Sequence, residues 1–320
     1  MMQQDTTKTS PTVTVLMSAY GVDAFLHQAV ESVLCQDYED FEFLIIDDAS
    51  PQDIATELKC YGDLRMKIVR NEYNLGLTRS LNKGLQMACG RYIARMDADD
   101  ISLPQRLKIQ VNYMEKHPEI GLLGGQADCI DGDGNIVFQE RHPTDELLLR
   151  WLLLFINPFW HSSIMLRASV LKLIGGYNNC VRYAQDYDLW HRLAPHTRFA
   201  QLCEPVILYR IQGKSITSSC GREQEAIALN IIRNALQILK CNDMVDDDIR
   251  GVREILINLP ACHANEKSIK IMCSSIGMFA KFHKLTFDHE LAIKNYAKKK
   301  MHVFLRNNQI SLDKSKDSGI

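Results

Sequence analysis

Short apolar runs alternate with amphipathic stretches over the first two thirds of the chain. The run T-V-T-V-L-M that opens Thr12–Ser18 is typical of a strand buried in a largely parallel sheet, and similar runs recur at Phe41–Ile46, Lys67–Arg70 and Tyr92–Met96. Between these runs, apolar residues recur at helical spacing, and Gly90 is a suitable helix end. This alternation predicts an α/β fold with a doubly wound, mainly parallel sheet, in which ligands bind beyond the carboxyl ends of the strands.

Acidic residues follow two of the predicted strands. Asp47 and Asp48 end the second strand, and the sequence D-A-D-D at Asp97–Asp100 follows the fourth. After the first pair, S-P-Q-D offers an N-cap at Ser50 and a proline at the first helical position, which predicts a helix start there. Both acidic clusters are therefore expected at the ligand-binding edge of the sheet.

The strand pattern fades beyond Ile216, and helical spacing takes over. Helices are predicted at Ala226–Leu239, Asp248–Ile257 and His289–Leu305. The predicted organisation is a flexible N-terminus at residues 1–10, an α/β domain at 11–216, a helical C-terminal region at 217–312 and a polar tail at 313–320.

The composition is that of a globular protein with a sizeable core. Of the 320 residues, 46% are hydrophobic and 24% are charged, and a formal net charge of −2 argues against nucleic-acid binding through a global positive field. The ten cysteines lie singly with no C-x-x-C pair, which favours reduced, mostly buried thiols over structural zinc. A polar start, and the lack of any apolar run of about 18 residues, predict a cytoplasmic protein.

The acidic clusters indicate a chemistry because like charges repel in a partly desolvated site. A divalent cation is the simplest neutraliser, and carboxylate oxygens suit Mg²⁺ or Mn²⁺, which complete their shells with water and substrate phosphates. Aspartates are also common in turns and at helix N-caps. A single D-x-D motif therefore leaves both interpretations open.

A third acidic cluster, Q-D-Y-D-L-W at residues 185–190, opens a predicted helix whose buried face includes Leu189 and Trp190. Asp186 in its first turn can serve chemistry or only interact with the helix dipole. The preceding G-G-Y at residues 175–177 marks a tight turn, which either lets the backbone approach a ligand or ends a helix. The order of the clusters along the chain decides between these alternatives.

Five motifs, taken in order, resemble those of the inverting family 2 glycosyltransferases: P-T-V-T-V-L-M-S-A-Y, L-I-I-D-D-A-S, R-M-D-A-D-D, I-G-G-Y-N and Q-D-Y-D-L-W. The likeness runs from Pro11 to Ser218. Several motifs in this order are far more specific than any one of them. The resemblance implies a nucleotide-sugar-dependent enzyme of the GT-A fold, similar to bacterial enzymes that build O-antigen or capsule polysaccharides.

The resemblance also implies a donor site at the ends of the predicted strands. It puts Ser18 and Tyr20 at the rim of the nucleotide site and Asp48 facing the base, expected to be uracil. Asp97 and Asp99 match the D-x-D motif. Asp99 would ligate Mn²⁺ or Mg²⁺, and Asp97 would meet the ribose or metal-bound water.

On the acceptor side, Asp186 matches the family's catalytic base. The glutamate that usually precedes the base is Gln185 here, which removes one negative charge and leaves a contact between position 185 and the acceptor open. In L-Y-R-I-Q-G-K-S-I-T, Arg210 matches an arginine that approaches the diphosphate. Gln212 replaces the expected histidine and is a poorer metal ligand.

The segment N-P-F-W-H-S-S resembles the acceptor-side segment of the family, which would put Trp160 and His161 beside the acceptor sugar; both can instead fill the core. A lipid-linked acceptor would bring the enzyme to the cytoplasmic face of the inner membrane. There, basic C-terminal residues can contact the anionic surface, or they can form a solvated face on a packed helix. These residues are Lys294, Lys298, Lys299 and Lys300.

The implied activity is transfer of a hexose from UDP-glucose or UDP-galactose to a GlcNAc- or GalNAc-diphospho-undecaprenol acceptor, with a β linkage. The alternatives are a dTDP-rhamnose donor and a non-catalytic carbohydrate-binding or scaffold role on the same fold. A dehydrogenase is disfavoured because no G-x-G-x-x-G follows the first strand, and a P-loop enzyme because Leu208 stands where the first glycine is required. No nucleic-acid partner is predicted.

Overall fold

The computed structural model describes residues 10–211, 221–241 and 244–310, and strands and helices alternate within them. The strands are β1 (Val13–Ala19), β2 (Phe41–Asp47), β3 (Met66–Arg70), β4 (Tyr92–Asp97), β5 (Ile101–Ser102), β6 (Ile120–Ile130), β7 (Ile136–Glu140), β8 (Met165–Arg167) and β9 (Arg198–Arg210). The helices are α1 (Ala24–Leu34), α2 (Ile54–Glu57), α3 (Leu77–Met87), α4 (Arg106–Lys116), α5 (Glu146–Leu153), α6 (Ala168–Ile174), α7 (Gln185–Leu193), α8 (Gly221–Ile238), α9 (Asp246–Ile257), α10 (Glu266–His283) and α11 (Phe287–Asn307).

All of these strands belong to one mixed sheet in the order β3-β2-β1-β4-β8-β6-β9-β5, with β7 paired to β6. The strands β1 to β4 pair in parallel, as predicted. β8 inserts antiparallel between β4 and β6, and β6 then pairs in parallel with β9. The strands β1, β2 and β4 are almost wholly buried, which explains why they read as continuous apolar runs. The predicted α/β fold is confirmed.

The helix expected after β2 begins later than the sequence pattern indicates. α2 starts at Ile54 with Asp53 as its N-cap, so the predicted N-cap at Ser50 is wrong. Ser50 is instead part of the turn: its backbone N–H donates to Asp47 Oδ1 (2.8 Å), and its hydroxyl accepts from the backbone N–H of Gly21 (2.9 Å). These bonds join the turn after β2 to the turn after β1.

The chain divides into two compact units. Unit 1 comprises residues 1–144 and 159–221 and contains the sheet; unit 2 comprises residues 145–158 and 222–320 and contains α5 and α8 to α11. The helical unit thus includes a segment that the sequence analysis counted in the α/β domain. The segment belongs to unit 2 because α5 buries its apolar side chains there. Trp151 Nε1 of this helix also donates to Ser275 Oγ of α10 (3.2 Å). The predicted boundary at residue 216 lies outside the described residues.

None of the described helices has the length and apolar content needed to cross a bilayer. The described cysteines are free thiols, but the expectation that they are mostly buried is wrong. Cys129 and Cys241 are buried, Cys273 is half-buried, and the exposed ones are Cys35, Cys60, Cys89, Cys180, Cys203 and Cys262.

Glu254 of α9 anchors the turn that precedes α10. Its side chain is buried, and its carboxylate accepts the backbone N–H groups of Cys262 (3.0 Å), His263 (2.9 Å) and Ala264 (2.9 Å). Burial opposes ionisation of Glu254, but these hydrogen bonds and the His263 side chain outweigh it and lower the pKa of the carboxyl group below its usual value. The ionised carboxylate therefore contributes to the stability of unit 2.

We expect Glu254→Gln to destabilise the protein by about 1–3 kcal/mol at neutral pH, because buried N–H groups lose a charged acceptor. The pKa is lower in the folded state, so the difference from wild type is full above about pH 4.3 and shrinks as the pH falls through the folded pKa. Chemical denaturation at neutral pH and near pH 3 measures both effects. The control Glu223→Gln, at an exposed position of α8, should change the unfolding free energy by less than about 0.5 kcal/mol. Equal stability of wild type and Glu254→Gln at neutral pH would contradict this role.

Candidate functional site

The carboxyl ends of β1, β2 and β4 meet at one edge of the sheet. In the parallel register Ser18 lies opposite Asp97, and Ala19 lies opposite Asp47. Tyr20 follows directly and is 62% exposed. Three residues predicted for the donor side are therefore brought to the same edge: Ser18, Tyr20 and Asp97.

Asp48, which was predicted to face the base, is buried and hydrogen-bonded within the protein. Its Oδ1 accepts from Asn71 Nδ2 (2.8 Å) and from the backbone N–H of Leu75 (2.8 Å). Its Oδ2 accepts from the backbone N–H of Gly76 (2.8 Å), the residue before α3. The carboxylate thus anchors the start of α3, and a contact with the base stays a prediction.

Asp97, Asp99 and Asp100 form a compact carboxylate cluster at the end of β4. One carboxylate oxygen from each lies within 4.8 Å of the others. Burial and the charge of Asp97 raise the pKa of Asp99 to about 6. Burial and the charges of Asp97 and Asp99 raise the pKa of Asp100 well above its usual value. The negative charge of these three carboxylates is therefore not fully compensated by the side chains around them.

Arg95, a buried residue of β4, neutralises only one member of this carboxylate cluster. It forms an ion pair with Asp97, and Ser162 bridges the two, accepting from Arg95 Nη1 (2.9 Å) and donating to Asp97 Oδ2 (2.7 Å). Although burial opposes ionisation, the Arg95 guanidinium lowers the pKa of Asp97. Asp97 is therefore held as an oriented carboxylate.

The carboxylate cluster fits a divalent cation. Asp100 Oδ1 accepts from the backbone N–H of Arg210 (2.8 Å), but its buried Oδ2 has no hydrogen-bond partner among the described residues. Buried carboxylate oxygens suit Mg²⁺ or Mn²⁺, and a cation would favour their ionised form. Asp99, the ligand predicted from the sequence, would hold the ion together with Asp97 and Asp100.

Arg210, at the end of β9, is buried and engaged by the protein. Its guanidinium donates to the carbonyl oxygens of Asp99 (2.9 Å), Asp131 (2.9 Å) and Gly132 (3.2 Å), and to Gln28 Oε1 (2.7 Å). Most of its N–H donors are therefore already used by the protein, and its approach to the diphosphate stays a prediction. The other residue predicted in this segment, at position 212, lies outside the described residues.

Asp186 and Gln185 lie in the first turn of α7, directly after Ala184, which has a left-handed backbone (φ +56°). Gln185 is buried and Asp186 is half-buried. Burial raises the pKa of the nearby Tyr177 hydroxyl, and the negative charges of Asp186 and Asp97 raise it further. Asp186 is thus held half-buried in the first turn of a helix, and its role as the base stays a prediction.

Trp160 and His161 are packed in unit 1. His161 Nε2 lies 2.8 Å from the Tyr177 hydroxyl, and burial lowers the pKa of His161 well below its usual value, so the ring is neutral. Trp160 packs against Tyr209 with ring centroids 4.7 Å apart and the rings tilted by 42°, and its buried Nε1 has no hydrogen-bond partner in the described part of the chain. Both side chains fill space in unit 1, and their role beside the acceptor sugar stays a prediction.

α3 holds the loop that carries Tyr177, a feature that the sequence analysis missed. Asn82 donates to the Tyr177 carbonyl (2.8 Å) and to Asn179 Oδ1 (2.8 Å), and it accepts from the Tyr177 backbone N–H (2.9 Å). One turn earlier, Thr78 donates to the carbonyl of Val181 (3.0 Å). No sequence signal distinguishes these two polar residues from others on an amphipathic helix.

Comparison with known proteins identifies the family. Residues 14–175 match the family described as Glycosyl transferase family 2. An uncharacterized glycosyltransferase of Haemophilus influenzae is 31% identical over 277 residues, which cover 82% of this chain and 84% of the relative. The chain belongs to glycosyl transferase family 2.

This family 2 glycosyltransferase is also similar to the O-antigen biosynthesis glycosyltransferase WbnJ of Escherichia coli, with 31% identity over 216 residues that cover 65% of this chain and 82% of WbnJ. Residues 1–349 of S. aureus TarS, solved with UDP-GlcNAc, superpose with a TM-score of 0.58 at 16% identity, covering 93% of this chain and 90% of that one. The chain spans 55% of a longer TarS structure.

A mannosyltransferase of Pyrobaculum calidifontis, PcManGT, was solved with GDP-Man and Mn²⁺ and has a TM-score of 0.56 to this glycosyltransferase at 15% identity. The superposition covers 94% of this chain and 88% of the mannosyltransferase. At such identities the likeness to solved structures establishes the fold alone. The predicted GT-A type fold is confirmed.

We expect Asn82→Ala to destabilise the glycosyltransferase by about 1–3 kcal/mol, because the loop around Tyr177 loses three hydrogen bonds. Thermal or chemical unfolding measures the change. The matched control is Gln86→Ala, an exposed position one turn further along α3, which should change the unfolding free energy by less than about 0.5 kcal/mol. Similar losses in both variants would show that the loop does not depend on Asn82.

Proposed function

We propose that this family 2 glycosyltransferase transfers a hexose from UDP-glucose or UDP-galactose to GlcNAc- or GalNAc-diphospho-undecaprenol in bacterial O-antigen or capsule synthesis. Family membership supports the transferase activity, and the likeness to WbnJ supports polysaccharide synthesis. The TarS complex with UDP-GlcNAc supports a UDP-sugar donor. The observation that carries the proposal is the carboxylate cluster at the end of β4, and Asp186 in the first turn of α7 is the second acidic site.

The donor would bind at the carboxyl edge of the sheet, beside Ser18, Tyr20 and Asp48. Asp97, Asp99 and Asp100 would hold Mn²⁺ or Mg²⁺, which, when bound, offsets the negative charge that develops on the leaving diphosphate. Arg95 keeps Asp97 ionised and, with Ser162, fixes its direction. The protein thus supplies an oriented donor site before the substrate arrives.

Asp186 would act as the base on the acceptor side. It takes the proton of the acceptor hydroxyl while the oxygen attacks the anomeric carbon, and the bond from that carbon to the diphosphate oxygen breaks. The electron pair leaves with the nucleoside diphosphate, and one displacement inverts the anomeric carbon. An α-linked UDP-hexose therefore gives a β-linked product.

The lipid carrier of the acceptor would bring the reaction to a membrane surface. We include a peripheral contact of the helical unit with the cytoplasmic face of the inner membrane in this proposal. It is supported by the basic character of α11, which carries Lys294 and Lys298.

Calorimetric titration with UDP, GDP and dTDP, each with and without Mn²⁺, tests the donor site. We expect UDP to bind tightly only with metal, and Asp99→Asn to weaken the metal-dependent binding at least about tenfold because a carboxylate ligand is lost. The control Asp37→Asn removes an exposed carboxylate and should bind like wild type. Preference for dTDP would favour the rhamnose donor, and no metal-dependent binding of any nucleotide would leave a carbohydrate-binding or scaffold role.

A second variant tests the base. We expect Asp186→Asn to bind UDP normally but to transfer the hexose about 10²- to 10⁴-fold more slowly, because no carboxylate takes the proton. Transfer to a detergent-solubilised GlcNAc-diphospho-lipid gives the rate. Asp188→Asn is the matched control on the same helix: among the described residues the Asp188 carboxylate pairs with Arg192 (2.8 Å), one turn away, so this variant should stay near the wild-type rate. Near-normal transfer by Asp186→Asn would remove Asp186 from this role.

A further inference from the structure

Helices α10 and α11 of unit 2 are strongly basic. Residues 266–307, from the start of α10 to the end of α11, contain nine lysine and arginine residues and three acidic residues, whereas the whole chain has 37 basic and 39 acidic residues. The rest of the chain is therefore acidic, and most of the excess positive charge is confined to one helix pair. Such a local field favours an anionic partner.

A cavity of about 380 Å³ lies between these two helices. Its floor is apolar and consists mainly of Met272, Ile276 and Met301, each 1% exposed. Three exposed lysines line it as well: Lys270, Lys294 and Lys298. Its volume is that of a site for a small ligand or a lipid headgroup. An apolar floor beneath cationic side chains suits an amphiphile with an anionic head.

The three lysines of the cavity are short of acidic partners. Lys294 Nζ pairs with Glu290 (2.9 Å), and no other ion pair to these lysines occurs within residues 10–211, 221–241 and 244–310. Three ammonium groups around one cavity repel one another, and a phosphate between them would neutralise that repulsion.

Large apolar side chains are also exposed on the same two helices. Phe287 is 76% exposed and Leu291 is 41% exposed. Spacings of three and four residues put both on the face of α11 that carries Lys294 and Lys298. Phe282, near the end of α10, is 53% exposed. An apolar and cationic face of this kind matches the boundary between headgroups and acyl chains, whereas a nucleic-acid backbone would leave the aromatic side chains in water.

We propose that this face of unit 2 binds an anionic phospholipid bilayer, with a lipid phosphate held between Lys270, Lys294 and Lys298. Phe287 and Leu291 enter the interface beside it. The inference deepens the membrane contact of the proposed function. It adds Lys270 of α10 to the contact, and the two lysines that follow Lys298 are outside the cavity lining.

Co-sedimentation of the purified full chain with vesicles measures the binding. We expect binding to phosphatidylcholine vesicles that contain about 30% phosphatidylglycerol, and little binding to pure phosphatidylcholine. The double variant Lys294→Gln with Lys298→Gln should weaken binding to the anionic vesicles about 10- to 30-fold, or roughly fivefold for each lysine. Phe287→Ser should weaken it about fivefold because less apolar surface leaves water.

Two control variants test whether binding depends on where the residues lie or only on the charge and apolar surface that are removed. Lys108→Gln with Lys116→Gln removes the same charge from exposed positions of α4 in unit 1, and Leu64→Ser removes a fully exposed apolar side chain from unit 1. Both should bind like wild type within about twofold. All these positions are exposed, so the variants should unfold at the wild-type temperature, and thermal unfolding checks this.

Equal binding to neutral vesicles, equal loss in the lysine control, or lysine-dependent binding of a DNA duplex in place of vesicles would overturn the proposal. Displacement from vesicles by millimolar inorganic phosphate would do so too, because it would assign the cavity to free phosphate. No nucleotide sugar is present in these experiments. Failure here would therefore leave the proposed transfer reaction standing, and failure of the transfer assay would leave the lipid site standing.

Discussion

Asp97, Asp99 and Asp100 bring three carboxylates within 4.8 Å of one another, and their mutual repulsion has to be offset by the surrounding protein. The buried ion pair of Arg95 with Asp97 compensates part of this repulsion. Arg106 of α4 is also buried, and it donates a hydrogen bond to the Arg95 carbonyl (2.7 Å). Burial and the neighbouring Arg95 lower the pKa of Arg106 to about 9. Burying such charges is costly unless they are paired: Arg95 has its ion pair with Asp97 and its bond to Ser162, although its Nε has no partner among the described residues. The hydrogen bond from Arg106 to the Arg95 carbonyl joins α4 to β4 next to the acidic cluster.

Arg210, the last residue of β9, also contacts the carboxylate cluster, although it lies more than 100 residues further along the chain. Arg210 lies opposite Ile130 of β6, donates its backbone N–H to Asp100, and reaches the Asp99 carbonyl with its side chain. The guanidinium of Arg210 therefore places a positive charge beside the cluster, but its N–H groups are already bound to carbonyl oxygens. Its approach to the donor diphosphate stays a prediction, and with most of its N–H groups already bonded it would act on a phosphate mainly through its field. The pairing of β9 with β6 in the sheet brings Arg210 to this position.

The sequence predicts the parallel half of the fold to within a residue at each strand end, because buried parallel strands read as unbroken apolar runs. The position of the D-x-D motif at a strand end follows from these strand predictions. The single arginine within the apolar strand Y-I-A-R-M-D could also have indicated that Arg95 is a buried partner of the aspartates. The partners of Arg210, Ser50 and Asn82 could not be predicted. Their long-range hydrogen bonds, such as those of the Ser50 hydroxyl with Gly21, Asn82 with Tyr177 and Arg210 with Gln28, join residues 29 to 182 positions apart, and local spacing carries no information about them.

α3 links the two sides of the site. Asp48 binds the backbone before its first turn, and Asn82, in its second turn, binds the loop that leads to α7. Gly176 shows how tight that contact is: its φ is +76°, and a Cβ there would lie 2.8 Å from Asn82 Oδ1. The loop then passes through the left-handed Ala184 into the turn that carries Asp186. A general base must be held close to its working geometry, because small displacements cost much of the rate. One eleven-residue helix thus contacts both the donor-side turn, through Asp48, and the loop that leads to Asp186, through Asn82.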